Sequence, residues 1–74
     1  MAHIPKGGRP ILVQFFDTDA GTMVYINPKY VVTLRPDPET PERTTIVKLR
    51  DGEVFRVHGT HVEVAANLCR TTPP

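Results

Sequence analysis

Residues 44–57 have the sequence TTIVKLRDGEVFRV, and this stretch decides the fold. Two runs rich in β-branched and apolar residues, 44–49 and 53–57, flank the tripeptide Arg-Asp-Gly at 50–52. Asp-Gly between two such runs is a strong hairpin signal and favours a two-residue type I′ turn. The segment therefore predicts two neighbouring antiparallel strands.

Three further strands are predicted before this hairpin. The runs 11–16, 23–26 and 30–34 are short, apolar and rich in β-branched or aromatic residues. The turn-forming residues 17–21 separate the first two, and Asn27-Pro28 separates the last two, because proline lacks the N–H that a strand ladder needs.

A short C-terminal helix is predicted after the last strand. The segment Thr60-His61-Val62-Glu63 has the form of a capping box, in which Thr60 and Glu63 each satisfy the backbone N–H of the other. Apolar residues then recur at helical spacing. They are Val62, Ala65, Ala66 and Cys69, with Leu68 alongside.

The fold class predicted from these elements is α+β and mostly β. Four or five antiparallel strands form a small SH3-like barrel or a curled sheet, closed by one short C-terminal helix. The 74 residues suffice for one domain, which we place at 11–70. Residues 1–10 are expected to be a flexible arm, and 71–74 a frayed tail.

The two hairpin faces provide the first functional hypothesis. A two-residue loop pairs Val47 with Arg56 and Ile46 with Val57, so that each face mixes apolar and charged side chains. In a sheet with one solvent-exposed face, apolar and polar residues should alternate sharply along each strand. The mixed faces therefore suggest that a second surface covers part of this sheet. We therefore expect a small non-enzymatic protein-interaction module that associates with itself or with another protein. Its predicted contact residues are Ile46, Phe55 and Val57. Tight barrel curvature is the alternative explanation of the mixed faces.

Basic residues provide the second hypothesis, a nucleic-acid-binding β-domain. The net charge is only +1, with acidic residues interspersed among the bases, so this is the alternative and not the leading function. Tyr25 and Tyr30 are available as stacking rings. The candidate contact residues are Arg43, Lys48, Arg50 and Arg56.

The sequence predicts no catalytic residues, no cofactor and no small-molecule substrate. His58 and His61 form an H-x-x-H pair, but stable metal sites need three or four ligands, so no metal is predicted. Cys69 is the single cysteine, expected to pack as a small apolar side chain, and it suits a reducing compartment. With no signal-peptide core and no apolar run long enough to span a bilayer, a cytoplasmic protein without membrane partners is expected.

The segment from Val24 to Leu68 resembles the FlbD/SwrD family of small flagellar proteins. The matching order is a short strand ending at 26–28, an apolar strand at 30–34, an acidic proline-containing loop, the hairpin TIVKLRDG (45–52) with its return strand, and a closing Val62-Glu63-Val64. This resemblance implies a short cytoplasmic protein associated with motility and without known catalysis. The chain departs from the family in its arm before Ile11 and in its longer loop at 35–43.

The strand-strand-helix ending is also similar to that of the DNA-binding LytTR domain, which implies nucleic-acid binding. The chain has no basic recognition segment matching that domain.

Overall fold

The computed structural model describes residues 11–70, which form five strands, one 3-10 turn and one helix. The elements are β1 (Val13–Asp17), β2 (Thr22–Ile26), the 3-10 turn Pro28–Tyr30, β3 (Val31–Pro36), β4 (Thr44–Leu49), β5 (Val54–His58) and α1 (His61–Arg70). The predicted arm at 1–10 and tail at 71–74 lie outside the described residues.

One antiparallel sheet contains all five strands in the order β2-β1-β5-β4-β3. The predicted fold class, mostly β with four or five antiparallel strands and one C-terminal helix, is confirmed, and the number of strands is five. Within residues 11–70 the edge strands β2 and β3 are not paired with each other. The sheet is therefore open, with two edges.

The β4–β5 hairpin is present, but the predicted two-residue type I′ turn is wrong. The backbone N–H of Leu49 donates to the carbonyl of Glu53 at 2.8 Å, and that of Gly52 to the carbonyl of Leu49 at 3.0 Å, so three residues form the loop. A type I′ turn needs a positive φ at both central residues. Among residues 11–70 only glycines have a positive φ, and here that glycine is Gly52, with φ 94°. This arrangement is typical of a three-residue loop with a left-handed glycine.

The longer loop shifts the register by one residue and leaves one face of β4 and β5 without charged side chains. Val47 pairs with Phe55 instead of Arg56, and Thr45 instead of Ile46 pairs with Val57. A one-residue slip moves a whole strand's side chains to the other side of the sheet. We call the side that carries Thr45, Val47, Phe55 and Val57 the inner face. The opposite, outer face carries Thr44, Ile46, Lys48, Val54, Arg56 and His58.

The core lies between the inner face and α1. Val64 and Leu68, one helical turn apart, bring the helix against β3 and β4. Six apolar residues of the described chain are buried: Phe15, Ile26, Val47, Val57, Val64 and Leu68.

The predicted capping box of α1 is confirmed, whereas its predicted apolar stripe is only partly correct, with Leu68 buried and Ala65 half-buried. The N–H of Thr60 donates to Oε1 of Glu63 at 3.0 Å, and the N–H of Glu63 donates to Oγ1 of Thr60 at 3.2 Å. Val62 is 64% exposed, and Cys69 is exposed instead of packed. The buried stripe of the helix consists of Val64 and Leu68, which are four residues apart and therefore lie on one side of the helix.

Candidate contact surface on the outer face

The three predicted protein-contact residues do not share one exposed surface. Val57 is fully buried in the core, and Phe55 is half-buried and packs against it on the inner face. Ile46 lies on the outer face, paired with Arg56. The register error placed them together, and the correct register separates them.

Arg56 is the centre of an ion-pair network and not a free cation. Its Nε donates to Oδ2 of Asp37 at 3.0 Å, while its Nη1 lies 3.6 Å from Asp19 and 3.8 Å from Glu39. Asp19 belongs to the β1–β2 turn, and Asp37 and Glu39 belong to the β3–β4 loop. One side chain from the central strand β5 therefore holds both loops, and its charge is offset by three carboxylates.

Asp37 is the buried partner in this network, with only 1% of its surface exposed. The backbone N–H of Glu39, the hydroxyls of Thr40 and Thr44, and the guanidinium of Arg56 all donate to its carboxylate. These donors, Glu39 and Thr44 above all, hold the pKa of Asp37 below its ordinary value of 3.8, although burial opposes them. The saturated carboxylate gives the β3–β4 loop a defined structure.

The other cations of the candidate nucleic-acid set occupy different positions. Lys48 is exposed on the outer face, opposite Thr33 of β3, and Arg35 lies on the same face opposite Ile46. Arg50 is in the hairpin loop, with its guanidinium 6.0 Å from the centroid of the Tyr30 ring. Arg43 is exposed in the β3–β4 loop, where its carbonyl accepts from the N–H of Gly59 at 2.6 Å.

Arg35, Lys48 and Arg50 form what we call the basic strip. In the part of the chain that the structure describes, every ion pair within 4.0 Å involves Arg56, so these three cations have no carboxylate partner there. A shallow hollow of about 380 Å³ lies at the end of the strip and is lined by Tyr30, Leu49, Arg50 and Asp51. Lys48 and Arg50 of the predicted set therefore lie in the basic strip together with Arg35, which was not in that set.

Large apolar side chains are exposed at the opposite end of the outer face. Phe16, Met23 and Tyr25 are 41%, 44% and 59% exposed. Phe16 pairs with Met23, and Gln14 pairs with Tyr25 and donates to its hydroxyl at 3.2 Å. Because Phe15 is in the core, its neighbour Phe16 must point to the outer face. We call Phe16, Met23 and Tyr25 the outer patch.

Sequence reasoning missed both the outer patch and the role of Asp37. The adjacent phenylalanines, Phe15 and Phe16, were a usable signal, since two neighbours on a strand cannot both face the core. Asp37 gave no comparable signal, because its donors come from two different loop positions and from a distant strand.

The two histidines of the H-x-x-H pair lie on different elements. His58 ends β5 and His61 begins α1. Within residues 11–70, no three His, Cys, Asp or Glu side chains gather as a metal-binding group, and no helix has the length and apolar character to cross a membrane.

Comparison of the chain with protein-family models, with curated proteins and with solved structures found no match. The outer face is therefore the basis on which a function is inferred.

Proposed function

We propose that this protein is a small, non-enzymatic, self-associating interaction module whose contact surface includes the outer patch. The observation that carries the proposal is the grouping of Phe16, Met23 and Tyr25 on two paired strands, each at least 41% exposed. Isolated exposed apolar residues are ordinary, whereas adjacent large ones on one face are typical of binding surfaces.

The surroundings of the outer patch favour a second copy of the chain as the occupant. No charged residue occurs from 20 to 28, the stretch that contains β2. Aromatic residues and methionine at the centre of a surface without charges are typical of protein–protein contacts. Two copies of this uncharged strand meet without like-charge repulsion, so β2 is compatible with a second β2.

The non-enzymatic part of the proposal is supported by how the most buried carboxylate is used. Asp37 accepts four hydrogen bonds from the protein, so its oxygens are committed to holding the β3–β4 loop. The hollow beside Tyr30 is shallow and is bordered by an Asp51 carboxylate that accepts from the N–H of Glu53 at 2.9 Å. The carboxylates of Asp37 and Asp51 therefore both have structural roles.

Sedimentation velocity over a wide concentration range tests this function. We expect a species heavier than the 8.3 kDa chain, which Tyr25→Ser converts to monomer without loss of folding. Val62→Ser is the matched control, because Val62 is also exposed (64%) but lies on the helix. A wild-type chain that stays monomeric at all concentrations contradicts self-association.

Nucleic-acid binding is a second candidate, favoured by the three cations of the basic strip, which have no carboxylate partner among residues 11–70 and end beside the Tyr30 ring. Aromatic rings next to cations are how small β-domains bind single strands. Arg56 is removed from the predicted set, since its charge is neutralised within the fold.

Fluorescence polarisation with labelled single-stranded oligonucleotides tests the second candidate. If three phosphates are neutralised, log K should fall against log salt with a slope of about −2. The triple variant Arg35→Ala/Lys48→Ala/Arg50→Ala should lose this binding, whereas Arg43→Ala, in a different loop, should keep most of it. No binding at low salt excludes the candidate.

A further inference from the structure

The two edges of the sheet are built differently. On β3 the register shifts between Val31 and Thr33, so a β-bulge interrupts the strand, and Arg35 and Pro36 follow. A bulge, a charge and a proline are features by which natural sheets prevent their edges from pairing with other chains. The β3 edge is therefore protected against strand pairing.

The β2 edge has none of these features. Its five residues, Thr22–Ile26, pair with β1 in an uninterrupted register and contain no charge and no proline. The side of β2 that faces away from β1 has no strand neighbour among residues 11–70. An edge of this kind presents unpaired N–H and C=O groups as a template for another strand.

We propose that two copies of the chain form a symmetric dimer by antiparallel pairing of β2 with β2, giving one ten-stranded sheet. This inference rests on the proposed self-association and specifies its geometry. A two-fold axis through the strand pair uses the same edge in both copies and leaves no free β2 edge, so that assembly stops at the dimer.

The side chains of β2 favour pairing with a second copy of β2 over pairing with a strand that carries charged residues. Antiparallel pairing about Val24 places Tyr25 of one copy opposite Met23 of the other on the outer face, and an aromatic ring beside a thioether is a favourable cross-strand contact. Two of the three outer-patch residues of each copy, Met23 and Tyr25, therefore lie in the contact, since both are on β2. Pairing of β2 with the protected β3 edge of a second copy would instead extend into open chains of molecules.

Amide hydrogen exchange measured by NMR tests the geometry, at concentrations chosen from sedimentation to populate monomer or dimer. In β2, the amides that are not bonded to β1 should exchange more slowly in the dimer. The slowing should be about tenfold where nine-tenths of the chains are dimeric, because exchange then proceeds from the monomeric tenth. Amides of β3 should not respond to concentration, and Tyr25→Ser provides the monomeric reference.

The outcomes separate this inference from the function on which it rests. A dimer that Tyr25→Ser disrupts, but whose β2 amides exchange as in the monomer, overturns strand pairing and keeps self-association through the patch. Concentration-dependent protection in β3 also overturns the inference. A wild-type chain without any dimer overturns both.

Discussion

At the scale of single residues, Asp37 and Arg56 link parts of the chain that are far apart in sequence. Asp37 lies in a loop rich in proline and acidic residues, yet it is buried. It is stable there as a carboxylate because Glu39, Thr44 and Arg56 donate to it, whereas an unpaired buried charge would be strongly destabilising. Arg56 in turn holds Asp19 of the other loop.

The lowered pKa of Asp37 predicts acid sensitivity. A carboxyl whose pKa is lower in the folded than in the unfolded state stabilises the fold at pH values above its unfolded-state pKa. This stabilisation is lost as the pH falls through the folded-state pKa. The free energy of unfolding should therefore decrease below about pH 3.8. Asp37→Asn should be less stable at neutral pH and should lose part of this decrease. Urea unfolding from pH 7 to pH 2 measures both.

Two further variants show whether the effect belongs to Asp37. Glu42→Gln, at an exposed position of the same loop, should leave the pH profile close to wild type. Arg56→Met should retain much of the acid dependence, because the N–H of Glu39 and the hydroxyl of Thr44 lower the pKa more than Arg56 does. An unchanged profile in Asp37→Asn would contradict the assignment.

At the scale of elements, a single loop residue decides which side chains face the core. With Arg50 inside the loop, Leu49 faces Glu53 and Val47 faces Phe55. A two-residue loop would have placed apolar and charged side chains together on both faces. The start of the helix also depends on a local interaction, the capping box between Thr60 and Glu63.

Removal of the helix cap should have a measurable cost. Thr60→Ala loses the hydroxyl that accepts from the N–H of Glu63, and we expect the free energy of unfolding to fall by about 1 kcal/mol. Thr60→Ser keeps the oxygen and should stay near wild type. Both are measured by urea unfolding followed by circular dichroism, and equal loss in the two variants would show that the cap does not contribute.

At the scale of the whole molecule, a thin core supports one sheet with two dissimilar ends on its outer face. Six buried apolar side chains and one short helix stabilise the described residues, so each core position carries a large share. The outer patch lies towards the β2 edge and the basic strip towards the β3 edge, with neutralised Arg56 between them. The two candidate functions therefore use separate regions and are tested by separate variants.

Because the core is thin, we expect substitution of the buried Val57 to lower the free energy of unfolding strongly. Val57→Ala should lower the free energy of unfolding by about 2 kcal/mol, through lost burial and the cavity left behind. In a chain of this size that corresponds to a decrease in Tm of about 10 °C. Val54→Ala is the matched control, because Val54 is on the same strand but 58% exposed, and its Tm should change little. Similar Tm values for the two variants would contradict the observed register.

The sequence by itself determined the elements of this protein. Local patterns sufficed for the five strands, the hairpin at 44–57, and the helix begun by Thr60 and Glu63, because each depends on residues close together in the chain. The fold class followed from their order. Residue types alone also marked Lys48 and Arg50 as exposed cations.

Only the tertiary structure decided which side chains meet. The register of β4 and β5 depends on the φ of Gly52, and a local signal for Asp-Gly does not distinguish a two-residue loop from a three-residue one. The burial of Asp37, the neutralisation of Arg56 and the open β2 edge depend on the strand order β2-β1-β5-β4-β3. That order is set by long-range packing of the core, and this is why the candidate surface lies at Phe16, Met23 and Tyr25 instead of at Phe55 and Val57.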